Sequence, residues 1–508
     1  MSEAAPTGAV PNLRPLLAAL GAGALLPLAF APFDFWPLAI VCPVVLMWLW
    51  TDAPPRRAAL LGMWFGVGTF GAGTSWLYIS IHDHGPASVW FSATMVALVV
   101  AYMAGYQALL GWAVARYLPP RGAWRWYAGL PALWLLTEWS RGWLLTGFPW
   151  LSLGYSQTDT VLAGYAPVLG VYGLSALLLL QSGAMLAFWQ ARGRGRFVPL
   201  AAVVLVWAGG AALTRVEWTR PSGTPVPVAI VQGAIPQDEK WQLDNREPTM
   251  ALYRRLNEQT AGARLVVWPE AAIPELANEI APYLAEIQGS SRARDADVLM
   301  GVVRQGDNGV DYYNSILALT SGVAFYDKRH LVPFAEYFPV PAVVRSWLRL
   351  MSLPYSDFRA GIDGQAPLQA GGMRVAPSIC YEDAFGSAQL ALVARSELLV
   401  NVTNDAWFGR SPARFQHLQI SRMRALEAGR FLLRAGNDGV SAIIGPHGEL
   451  AAVAPEYRGA VLRGTVVPRS GLSPYTRVGN WAVMLLAAAL AAVAAGRRRS
   501  DPTSVNRP

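Results

Sequence analysis

The chain has 508 residues, more than one ordinary domain needs, and its composition is strongly apolar. Hydrophobic residues make up 53% of it and charged residues only 15%, which is typical of a membrane protein. The net charge of +8 lies largely in short arginine clusters beside apolar segments, which argues against a nucleic-acid-binding surface. Two cysteines, Cys42 and Cys380, are too few and too apolar in setting to form a disulfide framework.

The first part of the chain is a series of apolar segments. Crossing a bilayer takes about 20 residues. We predict an α-helical bundle of eight spans, at 14–31, 36–50, 58–80, 88–115, 126–145, 161–189, 197–214 and 479–495. The first has no clear small-residue cleavage site, so we interpret it as a retained span rather than a signal peptide. Three parts result, namely a seven-span bundle at 1–215, an outer domain at 216–478, and the last span with its tail at 479–508.

Arginines orient these spans, because Lys and Arg concentrate in cytoplasmic loops. They occur between spans two and three, four and five, and six and seven, and again after span eight: Arg56, Arg57, Arg116, Arg121, Arg125, Arg192, Arg194, Arg196, Arg497, Arg498 and Arg499. Both termini are therefore predicted to be cytoplasmic, and the outer domain to lie on the opposite face, the periplasm of a bacterium. A lone Cys380 in that oxidising compartment has no partner in its own domain and can stay free.

Three polar patterns in the apolar part have simple explanations. The GxGxxG pattern at 66–71 lies inside a predicted span, so it indicates close helix packing rather than nucleotide binding. His82 and His84 have no third ligand nearby, and we interpret their segment as a solvated loop. Glu138 and Arg141 are three residues apart on span five. They either pair with each other near the outer interface or have a function.

The outer domain alternates short apolar runs with helical patterns, which predicts an α/β domain of sheet and helix layers. The predicted strands are 226–231, 265–268, 298–303, 315–320, 323–326, 372–379, 398–402, 440–444, 449–453 and 460–466. The predicted helices are 246–261, 275–292, 389–395 and 412–433.

Chemically useful side chains follow three of these strands. Glu270 closes one, Lys328 another, and Cys380 a third. If the three ends meet at one rim, Glu270 can take the thiol proton, Cys380 can attack an acyl carbonyl, and Lys328 can stabilise the oxyanion and favour the thiolate. Each residue alone is compatible with a plainer role, a buried core thiol for Cys380 and surface ion pairs for the other two.

Together the motifs resemble the carbon–nitrogen hydrolase, or nitrilase, superfamily. The matching stretches are Trp268-Pro269-Glu270, the run from Tyr326 to Tyr337, Ile379-Cys380-Tyr381-Glu382, and Asn401 to Gly409. With the flanking spans, the whole chain resembles the apolipoprotein N-acyltransferase family. One departure is Ala335, where that family usually has glycine; it should stiffen the loop slightly.

The resemblance implies an αββα sandwich and a reaction. An acyl chain would pass from a membrane phospholipid to the α-amino group of the diacylglyceryl-cysteine of an apolipoprotein, by a ping-pong route through a thioester on Cys380. Glu270, Lys328 and Cys380 would be catalytic. Further residues would support them or contact substrate: Glu336, Tyr381, Glu382, Trp241 and Trp407. No cofactor or metal is implied, and we expect a monomer in the bacterial inner membrane.

The apolar run at 338–351 carries two arginines and is predicted to be an interfacial arm or lid; an ordinary packed helix is the alternative. Two other functions stay open. A membrane-anchored hydrolase would use the same three residues and let water resolve the thioester. A transporter or receptor would only bind, but polar residues along the spans are scarce.

Overall fold

The computed structural model describes residues 13–85, 87–190, 193–337 and 358–499. The predicted interfacial arm at 338–351 lies outside the described residues.

A helix occurs in each of the seven leading apolar segments. Their bounds are α1 Arg14–Leu25, α2 Leu38–Leu49, α3 Pro55–Gly73, α4 Val89–Tyr117, α5 Leu130–Arg141, α6 Ala166–Gln190 and α7 Val198–Leu213. The GxGxxG pattern does serve close packing, since a Cβ on Gly66 would lie 2.6 Å from the Ala104 backbone of α4. These contacts confirm the structural interpretation of that motif.

Glu138 and Arg141 are both buried in α5, but they are not an ion pair. The Glu138 carboxylate accepts from the Leu153 backbone N–H at 3.0 Å, whereas the Arg141 guanidinium donates to Ser152 Oγ at 3.2 Å. Arg141 also lies over the Phe70 ring, 5.1 Å from its centroid. Both charges therefore brace the chain that follows α5, and the mutual-pairing alternative is wrong.

Within its described residues, the outer domain contains two six-stranded mixed sheets and a small two-stranded one. Strand bounds are β1 Arg220–Pro221, β2 Val226–Gln232, β3 Leu265–Val267, β4 Asp297–Gln305, β5 Tyr312–Leu319, β6 Val323–Asp327, β7 Leu368–Ala370, β8 Met373–Ile379, β9 Leu398–Thr403, β10 Leu432–Gly436, β11 Ala442–Ile444, β12 Leu450–Val453, β13 Ala460–Val466 and β14 Arg469–Ser470. The first large sheet has the order β13-β2-β3-β4-β5-β6, and the second has the order β12-β11-β10-β9-β8-β7.

The outer domain also contains helices, several of which cover the outer faces of the two large sheets. Their bounds are α8 Gln237–Lys240, α9 Arg246–Glu258, α10 Ala281–Arg292, α11 Gly386–Val393, α12 Ala413–Ala428 and α13 Pro474–Val478. The two sheets share one buried cluster that joins Ile230 of β2 to Val402 of β9, and α9 and α10 pack on the other face of the first sheet. The layers are therefore helix, sheet, sheet and helix, the predicted αββα sandwich.

Two helix predictions had wrong ends. The helix predicted at 275–292 begins only at Ala281, where Pro282 occupies the first turn, a position that suits proline. The helix predicted at 412–433 ends at Ala428, because Gly429 adopts a left-handed conformation with φ of +61°. The chain then enters β10, which pairs in parallel with β9 and which the helical pattern concealed.

Helix α12 lies between the second sheet and the membrane helices. Leu418 and Ala425 contact the sheet core, while Ile420 and Met423 belong to the cluster of the membrane half. Polar bonds cross the same boundary, from Trp150 Nε1 to Gln416 Oε1 at 2.7 Å and from the Val171 N–H to Glu427 Oε1 at 2.9 Å. The outer domain is thus seated directly on the bundle.

The last helix, α14, spans Trp481–Arg499 and packs mainly against α5. In the described part of the chain, three helices are long and apolar enough to cross a bilayer: α4, the segment Val161–Gln190 that includes α6, and Trp481–Arg498 of α14. Shorter apolar helices occupy Arg14–Ala29, Leu38–Leu49 and Val198–Leu213.

Candidate active site

Strand ends of the first sheet bring Glu270 and Lys328 together. The Lys328 ammonium lies 3.5 Å from Glu270 Oε1 and 2.9 Å from Glu336 Oε1, and its side chain is 1% exposed. Asn314, on β5, joins both carboxylates, with Nδ2 donating to Glu270 at 2.7 Å and to Glu336 at 2.8 Å. One buried cation therefore sits between two carboxylates whose spacing is set by an amide.

The backbone around Glu270 is tightly confined. The neighbouring Ala271 has φ of +43°, and a Cβ on Gly301 would lie only 2.4 Å from the Glu270 Cα. Glycine on β4 thus lets the turn after β3 press against the sheet. From there Glu270 Oε2 accepts the Asn404 backbone N–H at 3.0 Å, so the carboxylate reaches across to the second sheet.

Charge keeps Lys328 protonated. Burial by itself would lower the pKa of Lys328, but the charges of Glu336 and Glu270 raise that pKa above its usual range. An ammonium that keeps its charge is suited to stabilising an oxyanion that forms next to it.

Cys380 follows β8 at a sharp turn. Its φ is +51°, a left-handed conformation that is uncommon for a residue with a Cβ, and its side chain is partly exposed. Burial raises the pKa of the Cys380 thiol well above its ordinary value; Glu270 adds to the rise and Lys328 opposes it. A raised pKa disfavours the thiolate, so any reaction through the Cys380 thiolate needs a base close to the sulfur.

A buried polar network contacts the backbone of the Cys380 turn. His417 Nε2 lies 3.2 Å from the Cys380 carbonyl oxygen, and His417 Nδ1 lies 2.9 Å from Asp405 Oδ1. The two ring nitrogens of His417 thus face two oxygen atoms, one of the Asp405 carboxylate and one of the Cys380 carbonyl. Arg434 donates to Asp405 Oδ2 at 2.6 Å. Burial would raise the pKa of Asp405, but Arg434 and His417 hold it below its usual value.

Glu382 connects the Cys380 turn to the Lys328 loop. Its carboxylate accepts backbone N–H groups from Arg329 at 2.8 Å, His330 at 3.2 Å and Ile379 at 2.9 Å. The hydroxyl of Tyr326 donates to the same group. Glu382 is buried and ties two loops together, while its neighbour Tyr381 faces the membrane half.

Two family models match the chain. "Apolipoprotein N-acyltransferase N-terminal domain" covers residues 22–184, and "Carbon-nitrogen hydrolase" covers residues 227–469. The apolipoprotein N-acyltransferase of Methylococcus capsulatus is 41% identical over 97% of this chain and 98% of its own. That of Nitrosomonas europaea is 44% identical over 96% of this chain and 99% of its own. The chain belongs to the apolipoprotein N-acyltransferase family. Its outer domain has the nitrilase-like fold that the second model describes.

Solved structures resemble the outer domain only distantly. A CN-hydrolase superfamily protein from Xanthomonas campestris has a TM-score of 0.36 and 19% identity, covering 56% of this chain and 98% of that one. An amidase mutant from Nesterenkonia has a TM-score of 0.36 and 17% identity, covering 51% of this chain and 95% of that one.

In this acyltransferase family member, the membrane half closes one side of the Cys380 turn. The Tyr381 hydroxyl donates to the Gly147 carbonyl at 3.1 Å, and the ring lies 6.4 Å from Phe148 and 5.0 Å from Phe385. The segment at 147–150, which follows the span predicted at 126–145, thus borders the candidate site. An aromatic wall joins the two halves there.

The two tryptophans predicted as substrate contacts lie at the edge of the domain. Trp241 is 52% exposed after α8, and no contact in the described residues links it to Cys380. Trp407 is 38% exposed; its carbonyl accepts Ser80 Oγ at 2.8 Å, and its ring meets His84 edge-on at 6.3 Å. The His82–His84 segment is thus packed against the outer domain, so its interpretation as a solvated loop is wrong.

Sequence reasoning missed Lys240, although a compositional signal marks it. The chain has only two lysines, Lys240 and Lys328, among 41 basic residues. Lys240 is fully buried, and its ammonium donates to the Glu270 carbonyl oxygen at 3.1 Å. Burial lowers the pKa of Lys240 to about 8, and the Glu270 charge opposes that fall. Both lysines of the chain therefore converge on Glu270.

Asn314, Asp405, His417 and Arg434 were also missed. Asn314 interrupts an apolar strand, a visible polar signal in β5. His417 lies within the helix predicted at 412–433 and Arg434 directly follows it, in a setting where charged residues are ordinarily solvated. Nothing in the local pattern marks them as buried.

Proposed function

We propose that this protein transfers an acyl chain from a membrane phospholipid to the α-amino group of a diacylglyceryl-cysteine at the N-terminus of an apolipoprotein, through a thioester on Cys380. The observation that carries the proposal is the meeting of three groups at one rim: the Glu270 carboxylate, the Lys328 ammonium and the Cys380 turn. Whole-length similarity to apolipoprotein N-acyltransferases supports the choice of substrates.

In the first half-reaction, Glu270 accepts the Cys380 proton as the sulfur attacks the phospholipid ester carbonyl. Lys328 stabilises the oxyanion that forms. When the tetrahedral species collapses, the ester C–O bond breaks and Glu270 returns the proton to the leaving lysophospholipid hydroxyl. A thioester remains on the sulfur.

In the second half-reaction, the free amine of the apolipoprotein attacks the thioester carbonyl. Glu270 takes a proton from the nitrogen, the C–S bond breaks, and the sulfur leaves and regains a proton. The products are an amide and free Cys380. Water is the competing nucleophile. The aromatic wall of Tyr381, Phe148 and Phe385 narrows its access on the membrane side.

The roles of the remaining residues form part of the same proposal. Glu336 keeps Lys328 charged and in place through their 2.9 Å contact. Tyr381 and Glu382 shape the Cys380 turn, and the exposed Trp241 and Trp407 offer apolar surface to incoming lipid.

The proposed topology has eight spans, with both termini cytoplasmic and the domain at 216–478 in the periplasm, and the protein acts as a monomer. The arginine-rich connections support this orientation. A single cysteine placed at the exposed Asp307, in a Cys42→Ala and Cys380→Ala background, should react with a membrane-impermeant maleimide in spheroplasts. Labelling only after lysis would reverse the orientation.

The chemistry is tested by a two-step mass experiment on the full chain in detergent. Incubation with phospholipid alone should add an acyl mass to the Cys380 peptide, and a diacylglyceryl-cysteine peptide should then remove it and appear as an amide. Cys380→Ser serves as the control without a thioester. Acyl loss at one rate with and without the peptide would mean hydrolysis, and an active protein that never carries acyl on Cys380 would overturn the assignment.

A further inference from the structure

A groove lies where α14 meets the outer domain, and the proposed reaction does not use it. Its volume is about 480 Å³. Trp139 of α5, Ala391 of α11 and Met484 of α14 line three sides, and residues 476–481 line the fourth. The groove therefore lies at the boundary between the membrane helices and the outer domain, apart from the candidate active site.

The groove carries one charge, and that charge is unpaired. Arg477 is exposed, and its guanidinium has no hydrogen bond or ion pair with any residue in the described ranges. No Asp or Glu is present in the described lining, and the Ser387 hydroxyl beside it is exposed. An arginine with several free N–H donors and no acidic neighbour is suited to phosphate.

The position of the groove along α14 places it at headgroup depth. Helix α14 has 19 residues and ends in an arginine cluster, at Arg497 and the two residues after it. At about 1.5 Å per residue its length is about 28 Å, close to the hydrocarbon thickness of a bilayer. If those arginines mark one interface, Trp481 at the other end marks the opposite one.

Apolar surface continues from the groove into the membrane region. Trp481 is 64% exposed and lies 6.1 Å from Trp139, and Leu485 on the next turn is 65% exposed. Tryptophan pairs at this depth are typical of the aromatic belt, and exposed leucines below them suit acyl chains. The groove thus has a cationic opening next to an apolar surface. This pattern complements the charged headgroup and the acyl chains of a phospholipid.

We propose that this groove binds an anionic phospholipid, with its phosphate on Arg477 and Ser387 and its acyl chains along Trp481 and Leu485. The ligand bridges α11 and α14. Since α11 begins at Gly386, six residues after Cys380, the lipid anchors the base of the catalytic turn to the last membrane helix. This site is separate from the acyl-donor site, and the inference does not depend on the proposed reaction.

The test measures lipid binding to the full chain in detergent by native mass spectrometry. Phosphatidylglycerol is compared with phosphatidylcholine of the same acyl chains. Wild type should prefer phosphatidylglycerol, and Arg477→Gln should weaken phosphatidylglycerol binding about tenfold, as expected for loss of a charge-assisted hydrogen bond. Arg215→Gln is the matched control, because Arg215 is an exposed arginine just after α7.

Three results would overturn the proposal: equal binding of the two lipids to wild type, equal phosphatidylglycerol binding to wild type and Arg477→Gln, or the same loss in Arg215→Gln. If Arg477→Gln does not fold, Ala391→Phe fills the groove from an exposed helix position and keeps the arginine. It should also weaken phosphatidylglycerol binding, and undiminished binding to that variant would count against the groove.

Discussion

The two large sheets of the outer domain hold their reactive groups in different ways. The first sheet supplies Glu270 and Lys328, which stabilise each other by direct charge contact. The second supplies Cys380, whose position depends on a strained backbone and on a carbonyl held by His417. On the first sheet the two candidate groups contact each other directly, with Glu336 and Asn314 as further support, whereas on the second sheet the support for Cys380 comes from other residues.

This difference predicts how variants will fail. On the first sheet, loss of one charge leaves the opposite charge buried with less compensation, and it also removes a group to which we assign a catalytic role. On the second sheet, supporting residues can be altered without touching the sulfur, so stability and rate can be separated experimentally.

The largest expected effect belongs to the first sheet. Glu270→Gln should slow thioester formation on Cys380 by about 1,000-fold or more, since the raised pKa of the thiol makes a base necessary. Acyl mass on the Cys380 peptide against time measures this rate. Glu275→Gln is the control, because Glu275 pairs with Arg246 near the surface. A Glu270→Gln rate within tenfold of wild type would contradict the assigned base.

The second sheet should lose stability first. Asp405→Asn removes the nearer of the two carboxylates that face the fully buried Arg434, and we expect a loss of about 3–5 kcal/mol in the free energy of unfolding. Denaturant titration in detergent micelles measures it. The exposed Arg254–Glu286 pair is the matched control, and Glu286→Gln should cost less than about 1 kcal/mol. Similar losses of stability in the two variants would show that the buried network contributes no more than an exposed ion pair.

A pH-dependent effect should come from Lys240. Its pKa is about 8 in the folded protein against an ordinary 10.5, so the unfolded chain binds more protons between these values. The stability contribution of Lys240 therefore rises with pH across that window, by up to about 3 kcal/mol.

Lys240→Met removes this dependence. Relative to wild type, the variant should be most stable below pH 8 and lose that advantage towards pH 10.5, as measured by unfolding at several pH values. Because the ammonium also holds the Glu270 carbonyl, the same variant should acylate Cys380 more slowly. A stability difference that is constant with pH would mean that Lys240 is not a buried charge.

The smallest effect should come from the contact between His417 and the Cys380 carbonyl. His417→Leu removes the contact with the Cys380 carbonyl, and kcat should fall about tenfold with KM unchanged, as expected for a lost hydrogen bond to a positioned group. His417→Gln retains one donor and should recover part of the rate. A change in KM alone would mean that His417 contacts the substrate and does not act by supporting the Cys380 turn.

Much of the outer domain was predictable because its strands are short apolar runs bounded by turns. Glu270, Lys328 and Cys380 were predicted as candidates because each lies at the end of such a strand, and the structure places Glu270 and Lys328 3.5 Å apart. β10 was missed, since Leu432 to Gly436 continues a helical composition and only the left-handed Gly429 separates helix from strand. The helix start at Ala281 and the helix end at Ala428 were also misplaced, because Pro282 and the left-handed Gly429 set these boundaries.

Local patterns predicted the apolar segments, an α/β outer domain and three candidate residues at strand ends, because periodicity and motif are properties of neighbouring positions; the αββα layering came from the family resemblance. The tertiary structure alone placed Lys240 on Glu270, Asn314 between two carboxylates, and His417 under Cys380. The residues in these contacts are 22 to 44 positions apart in the sequence. Whether a charged side chain is solvated or buried with a partner depends on which distant strands meet, and that information lies in the packing of the sheets.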